Sequence, residues 1–144
     1  MSDLVAFLTA RLDEDEQIAR AADGGPKWFV GRKWNVYAEP SVGYASDLDD
    51  VAVDDGDLVV YGNALPYSEH IARHGPARVL REVEVKRRIL ARYQETAPSP
   101  TPWGSTGWAD ARTQEIHETL GDEVVPLLAL SYADHPDYPE GWKP

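Results

Sequence analysis

The chain has 144 residues, of which 42% are hydrophobic and 27% are charged. This is the composition of a soluble globular protein, and the length suits a single domain over residues 1–144. Acidic side chains outnumber basic ones by 25 to 14, which gives a formal net charge of -11. Such a chain repels phosphate groups, which argues against direct binding to nucleic acid or to an anionic membrane. There is no cysteine, so disulfides, thiolate metal ligands and thiol nucleophiles are excluded.

The apolar run from Leu4 to Ala10 has no basic flank and is interrupted by a threonine. It has the pattern of neither a signal peptide nor a membrane span, and we expect a cytoplasmic protein. The run instead belongs to an amphipathic helix over residues 2–22, with Ser2 as its N-cap and Asp23-Gly24-Gly25-Pro26 as its stop. Its apolar side chains recur at roughly helical spacing: Val5, Leu8, Leu12, Ile18 and Ala19.

A β-rich stretch follows, in which short runs are dense in aromatic and β-branched residues. This pattern predicts an antiparallel sheet of three or four strands. The candidate strands are Trp28–Val30, Trp34–Ala38, Val51–Val53 and Leu58–Tyr61. The last two flank Asp54-Asp55-Gly56-Asp57, which is a good hairpin turn because glycine accepts a positive φ.

The central helix has the clearest pattern. Ser68 to Arg73 are predicted to form a short turn, after which Gly75-Pro76 places a proline at the favoured first position of a helix. This helix extends to about Glu95. Its apolar face consists of Val79, Leu80, Val83, Leu90 and Tyr93. Two (i, i+4) ion pairs are expected on its surface: Glu82 with Lys86, and Glu84 with Arg88.

Residues 96–108 are rich in proline, glycine, serine and threonine and predict a loop. Asp110 is the first good N-cap after this loop and opens a helix towards Leu120. Gly121-Asp122 restarts the helix, and Val124–Tyr132 predicts an apolar closing helix. Together the elements indicate an α+β fold, in which a small antiparallel sheet of three to four strands is packed by N-terminal, central and C-terminal helices.

Charge is unevenly distributed along the chain. Residues 39–57 carry seven acidic side chains and no basic one, whereas residues 68–95 carry seven basic and four acidic side chains. The favoured interpretation is internal, with the basic helix beside the acidic loop or the acidic tail. The alternative is contact with a partner protein through the arginines of that helix: Arg78, Arg81, Arg87, Arg88 and Arg92.

His70 and His74 are four residues apart, which places both imidazoles on one face of a helix. Two such rings can share a zinc ion if further ligands come from elsewhere, and His117, His135 or Asp137 are candidates. The metalloprotease pattern needs a glutamate after the first histidine, where this chain has isoleucine. The favoured interpretation is that both rings pack against aromatic side chains and bind a carboxylate. No cofactor is then expected, and zinc is the alternative.

Trp103 and Trp108 bracket a segment of glycine, serine and threonine. Their indoles could stack on a base, a sugar ring or a proline of a partner. A small domain needs large apolar anchors, so a role in the core is favoured for both. The absence of a basic residue between Thr96 and Asp110 argues against nucleic acid at this loop.

The sequence contains no recognised catalytic template. An EF-hand loop beginning at Asp50 would have Asp55 in place of the glycine and Tyr61 in place of the final glutamate. The chain also lacks a phosphate-binding glycine loop, a G-x-S-x-G elbow and a dinucleotide fingerprint. These results favour a binding protein over an enzyme.

Three segments carry a resemblance to a known family: Asp3–Glu16, His70–Leu90 and Leu127–Trp142. They are similar to the signature of a family of small uncharacterised proteins from high-GC Gram-positive bacteria and their phages. This chain departs from the family pattern at Gly75, where aspartate is common, and at Pro139-Glu-Gly, where the family has Arg-Glu-Glu. The change at Gly75 weakens a helix cap.

The family has no assigned activity, so the resemblance implies membership without a mechanism. It directs attention to His70, His74 and the segment from Tyr132 to Tyr138. Asp134-His135-Pro136 could close a site against the two earlier histidines, but a helix terminus ended by proline is favoured. The candidate binding residues are therefore Arg81, Arg88, Trp103, Trp108, Tyr132, Asp134 and Tyr138, and the candidate metal ligands are His70, His74 and His135.

We therefore expect a small acidic cytoplasmic protein that binds or regulates a partner protein. One alternative is a histidine-based zinc site, structural or hydrolytic. Another is a nucleic-acid mimic, whose carboxylates occupy the basic groove of a DNA-binding protein. The carboxylates that would do so include Asp47, Asp49 and Asp50. The half-apolar central helix suits either a core or the seam of a homodimer.

Overall fold

The computed structural model describes residues 2–22, 26–38, 58–61 and 64–142. Backbone contacts divide the chain into two compact units. The terminal unit consists of Met1–Glu14 and Val83–Pro144, and the central unit is Asp15–Glu82. Helices and two small antiparallel sheets make up the described chain, which confirms the predicted α+β class. That residues 1–144 form a single domain stays a prediction.

The elements are numbered in chain order. The helices are α1 (Ser2–Ala21), α2 (Leu65–Arg73), α3 (Pro76–Glu95), α4 (Ala111–Thr119) and α5 (Val125–Leu130). The strands are β1 (Trp28–Val30), β2 (Val36–Ala38), β3 (Leu58–Val60), β4 (Ser99–Pro100) and β5 (Thr106–Gly107). Shorter turns of 3₁₀ helix cover Arg32–Trp34 and Glu140–Trp142, and a π-helical turn covers Leu120–Val124.

The core of the terminal unit is built on one face of α1. Leu4, Leu8 and Leu12 are spaced by four residues, so they lie above one another on that face, and all three are buried. The rest of this core comes from α3, α5 and the chain after α5: Val83, Leu90, Tyr93, Val125, Ala129 and Tyr138. Each buried leucine contributes about 1.5–3 kcal/mol relative to an exposed one.

The central unit contains the three-stranded sheet, in the order β1-β2-β3 with both pairings antiparallel. Helix α2 packs against β1 and β2. Val36 and Tyr37 of the middle strand are buried. The predicted small sheet is thus confirmed with three strands. The predicted Ser2 side-chain cap, the helix stop at 23–25, the strand Val51–Val53 and the turn at 54–57 lie outside the described residues.

Two boundaries of the central unit differ from the prediction. Residue Trp34 was expected to begin a strand, but Lys33 and Trp34 have φ values of 54° and 62°, which belong to the left-handed region. The two residues lie in a turn closed by the hydrogen bond from Gly31 N to Asn35 O (2.8 Å), so β2 begins at Val36. The predicted short turn at residues 68–73 is the larger, C-terminal part of helix α2, which begins at Leu65.

Gly75 lies between α2 and α3, directly before the first residue of α3. It has no side chain with which to cap the helix, as expected, and its carbonyl oxygen accepts hydrogen bonds from Arg78 N and Val79 N. A Cβ at this position would lie 3.1 Å from Cβ and Cγ of Trp28. The glycine therefore allows close packing against that indole, in addition to its effect on the cap.

The C-terminal third differs from the prediction within the loop and at the last helix. Residues 96–108 contain the two-stranded sheet of β4 and β5, in which Ser99 pairs with Gly107. The chain then forms α4, the π-helical turn and α5, which ends at Leu130 rather than at Tyr132. In the part of the chain that the structure describes, none of these helices combines the length and the apolar character needed to cross a membrane.

Asp110 caps α4 as predicted. Its Oδ1 accepts a hydrogen bond from Thr113 N at 2.7 Å, and its Oδ2 accepts one from the Thr113 hydroxyl at 3.1 Å. The backbone bond is the larger cause, and together they hold the pKa of Asp110 below its ordinary value, since both favour the ionised carboxylate. The cap therefore stabilises the fold above the ordinary aspartate pKa of about 3.9 and is lost as pH falls through the lowered value.

We expect Asp110→Ala to lower the melting temperature at pH 7 and to reduce the loss of stability on acidification. Asp110→Asn is the matched control, because asparagine keeps the cap but does not titrate. This variant should retain most of the melting temperature at pH 7 while losing the same part of the pH dependence. The measurement is thermal unfolding by circular dichroism from pH 7 to pH 3. Identical pH profiles for all three proteins would contradict the role of the carboxylate.

Candidate functional site

The β4–β5 hairpin presents a tryptophan at its tip. Gly104 N donates to Thr101 O at 3.1 Å, which closes a turn with Pro102 and Trp103 at its centre. Proline is favoured at the first central position of such turns, and Gly104 follows with a φ of 80°, which glycine adopts without strain. The Trp103 side chain is 92% exposed.

The base of this turn is held by three more hydrogen bonds. Thr101 N donates to Ser105 O at 2.7 Å, and the Thr101 hydroxyl donates to the same carbonyl at 3.0 Å. The hydroxyls of Thr101 and Ser105 are also hydrogen-bonded, at 2.8 Å. These bonds fix the backbone on both sides of Trp103, which places the indole at the tip of the hairpin.

The second tryptophan of the loop packs the base of the hairpin against α4. Trp108 packs against the ring of His117, with the ring centroids 5.1 Å apart. His117 in turn stacks on Tyr93 at 4.2 Å, and its Nδ1 donates to Tyr93 O at 3.0 Å. The favoured core role is therefore wrong for Trp103, whose ring points to solvent, whereas Trp108 is half-buried against other rings.

A second cluster joins α1 to the chain after α5. The ring of Phe7 makes edge-to-face contacts with four other rings, at centroid distances between 5.6 and 6.4 Å. These rings belong to Tyr132, His135, Tyr138 and Trp142. Edge-to-face pairs contribute about 0.5–1.5 kcal/mol each beyond their buried area.

Arg11 lies one turn after Phe7 and binds the same segment through its charge. Its guanidinium lies 5.5 Å from the Phe7 ring centroid, and its Nη1 lies 2.7 Å from His135 Nδ1 and also contacts Nε2. The same Nη1 donates to Asp137 Oδ2 at 3.2 Å, and Nε lies 3.5 Å from Glu14 Oε2. His135 and Asp137 lie in the closing segment, so these contacts join that segment to α1.

The structure thus brings together Tyr132, His135 and Tyr138 from the predicted set, whereas Asp134 is exposed beside them. Sequence reasoning missed Phe7 and Arg11. The signal that could have found them is the family resemblance itself, since it covers both the opening segment and the closing one.

An open groove of about 780 Å³ lies within the terminal unit. Its apolar wall includes Val5, Ala6 and Ala10 of α1, and its polar edge includes Asp13 and His117. Both polar groups are used internally, because Asp13 pairs with Arg87 at 2.6 Å and His117 bonds to a backbone carbonyl. The groove therefore presents an apolar wall, and the polar groups of Asp13 and His117 at its edge are already bound within the chain.

The candidate arginines Arg81 and Arg88 lie exposed on α3. Arg88 pairs with Glu84 at 2.8 Å, as predicted, and Glu82 binds Arg78 at 2.6 Å. Arg87 also pairs within the chain, but its partner Asp13 belongs to α1 and to neither the acidic loop nor the acidic tail of the hypothesis. The acidic stretch at 39–57, with the aspartates of the nucleic-acid-mimic hypothesis, lies outside the described residues.

His70 and His74 are both exposed and belong to the central unit, whereas His135 belongs to the terminal unit. The rings of the first two lie 4.3 Å apart. Within residues 2–22, 26–38, 58–61 and 64–142, no three His, Cys, Asp or Glu side chains are grouped so that they could hold a metal ion. The three-histidine zinc site stays a prediction.

Comparison with known proteins gives one match. A family model described as "Family of unknown function (DUF6221)" matches residues 1–144. The match includes the opening, central and closing segments that carry the resemblance. No curated protein and no solved structure matches the chain.

Proposed function

The chain belongs to this DUF6221 family of unknown function, and from its own geometry we propose that it is a small acidic cytoplasmic module that binds a partner protein through Trp103. The observation that carries the proposal is the 92% exposure of that indole on a hydrogen-bonded turn.

A turn that is already ordered lowers the entropic cost of binding through its exposed side chain. A tryptophan buries about 150–250 Å² when it enters a pocket, and tryptophan is enriched among the residues that dominate binding free energies. In a flexible loop, ordering the backbone on binding would cost conformational entropy and would offset part of the free energy gained from this burial. The turn from Thr101 to Ser105 is already fixed by four hydrogen bonds, so most of the gain is retained.

The chemistry of the partner follows from charge and composition. The net charge of -11 favours a protein whose surface is basic around the contact. No basic side chain lies between Thr96 and Asp110, so phosphate groups find no counter-charge beside the indole. An apolar pocket with a basic rim on another protein fits both observations. The resemblance to proteins of high-GC Gram-positive bacteria and their phages directs the search to the lysate of such a host.

The test compares three immobilised proteins in that lysate: the wild type, Trp103→Ala and Leu127→Ala. Leu127 is a matched control because it is also apolar and 65% exposed, but it lies on α5. We expect one protein to be retained by the wild type and the control and to be lost from Trp103→Ala. With that partner purified, the substitution should weaken binding by about 2 kcal/mol or more, which is about 30-fold.

Thermal unfolding checks that the effect is local. Because the indole is almost fully exposed, Trp103→Ala should change the free energy of unfolding by about 0.5 kcal/mol or less. The melting temperature should therefore stay close to that of the wild type. Retention of the same partner by all three proteins would contradict the proposal. Retention of nucleic acid alone would also contradict it.

A further inference from the structure

Two exposed histidines lie side by side at the end of α2, with His70 in its last turn and His74 directly after it. His70 and His74 are one turn apart, and their rings lie 4.3 Å from each other with a tilt of 32°. The nitrogens of two imidazoles bound to one tetrahedral zinc ion lie about 3.3 Å apart, given zinc–nitrogen bonds of about 2.0–2.1 Å. Both side chains are exposed, and their rotation is needed to bring one nitrogen of each ring to that separation.

The hydrogen bond at His74 is of the kind that orients a metal ligand. His74 Nδ1 lies 2.8 Å from His70 O. A carbonyl oxygen only accepts, so Nδ1 is the donor, and in the neutral ring the lone pair is then on Nε2. Histidines that bind metals usually donate their second ring nitrogen to a carbonyl or a carboxylate in this way. The bond thus sets the tautomer of the neutral ring, in which Nε2 is left for a metal.

We propose that His70 and His74 form half of a zinc site, which the same pair from a second copy of this chain completes. The described chain groups no third His, Cys, Asp or Glu side chain with this pair. Tetrahedral zinc takes four ligands, and two pairs related by a two-fold axis supply four imidazoles. This site is independent of Trp103.

The surface beside the pair suits a symmetric contact. Tyr67 is 68% exposed and precedes His70 by three residues and His74 by seven, so the three rings share one face of α2. Two copies that meet along this face cover both tyrosines. Each copy carries a net charge of -11, which opposes association. A divalent cation between the copies offsets part of that repulsion, so the dimer depends on the metal.

The test uses the full chain without a histidine tag, stripped of metal with a chelator. Its mass is followed by sedimentation while zinc chloride is added, and bound zinc is counted by elemental analysis. We expect a monomer without zinc, a dimer at one zinc per two chains, and a monomer again after chelation. His70→Ala should abolish the dimer and weaken zinc binding by about 100-fold or more. Arg73→Ala, on the same helix, should keep both properties.

Three outcomes would overturn the proposal. A dimer that forms equally well in the presence of chelator would show that zinc does not join the copies. One zinc per monomer without association would show that a second copy does not complete the site. Zinc uptake by the double variant His70→Ala, His74→Ala equal to that of the wild type would place the metal elsewhere. Each outcome leaves the Trp103 test unaffected, because the two sites share no residue.

Discussion

Replacing Leu8 by alanine is expected to lower the free energy of unfolding by about 2–5 kcal/mol. The Leu8 side chain is 0% exposed, one turn from Leu4 and Leu12 on the same buried face of α1. The substitution removes apolar atoms from the core and leaves a cavity, and each change destabilises the fold. Collapse of the site is restricted, because the leucines on both sides are themselves buried.

The measurement is urea denaturation followed by circular dichroism, with Ile18→Ala as the matched control. Ile18 lies on the same helix but is 66% exposed, so its truncation should change the free energy of unfolding by about 0.5 kcal/mol or less. A loss of equal size in both variants would contradict the placement of Leu8 in the core.

The two long helices could be predicted because their information is local. In α1 and α3, apolar residues recur every three or four positions, and burial follows that pattern at Leu8, Leu12, Val83 and Leu90. The N-cap at Asp110 is local for the same reason, since its partner Thr113 is three residues away.

The turn between β1 and β2 could not be predicted from residue type. Lys33 and Trp34 adopt positive φ values, and glycine or asparagine usually mark such positions. The aromatic ring of Trp34 instead favours a strand. The start of α2 does have a local signal, because Pro66 stands in the first turn of the helix, where proline is favoured.

The candidate site likewise has one part that local sequence could have predicted and another part that it could not. Pro102 and Gly104 flank Trp103 with the residues of a tight turn, and that pattern could have placed its indole at the tip. Trp108 has no such neighbours and packs at the base of the hairpin. By contrast, Arg11 and His135 are 124 residues apart, and no spacing rule relates residues at that distance. Only a signal that links the two ends of the chain could have joined them.

The arginines of α3 illustrate why charge alone is a poor guide to a binding surface. Four of them have acidic partners in their own chain: Arg78–Glu82, Arg87–Asp13, Arg88–Glu84 and Arg92–Glu95. Exposed pairs of this kind contribute about 0–1 kcal/mol to stability, but they do offset the positive charge of the helix. The excess of basic residues read from the sequence is therefore partly balanced in the fold, which favours the Trp103 hairpin over these arginines as the contact surface.

Replacing Phe7 by alanine is expected to cost about 3 kcal/mol and to release the C-terminal segment from α1. Truncation of a buried phenylalanine costs about 3–5 kcal/mol, and Phe7 is half-buried, which places it at the low end. Its ring contacts four rings of the segment from Tyr132 to Trp142 and the guanidinium of Arg11. These contacts all depend on the aromatic ring, so alanine removes them together.

Hydrogen exchange separates this effect from a general loss of stability. The amides of His135 and Tyr138 are bonded within the segment, to Tyr132 O and His135 O at 2.9 Å each, and should exchange faster in Phe7→Ala. The amide of Thr113 at the start of α4 should change only by the global loss. Phe7→Leu is the matched control: it keeps apolar volume but loses the ring, so it should recover part of the stability while the segment still exchanges faster than in the wild type. Uniform acceleration at all amides in both variants would show that Phe7 supports the core rather than anchoring this segment.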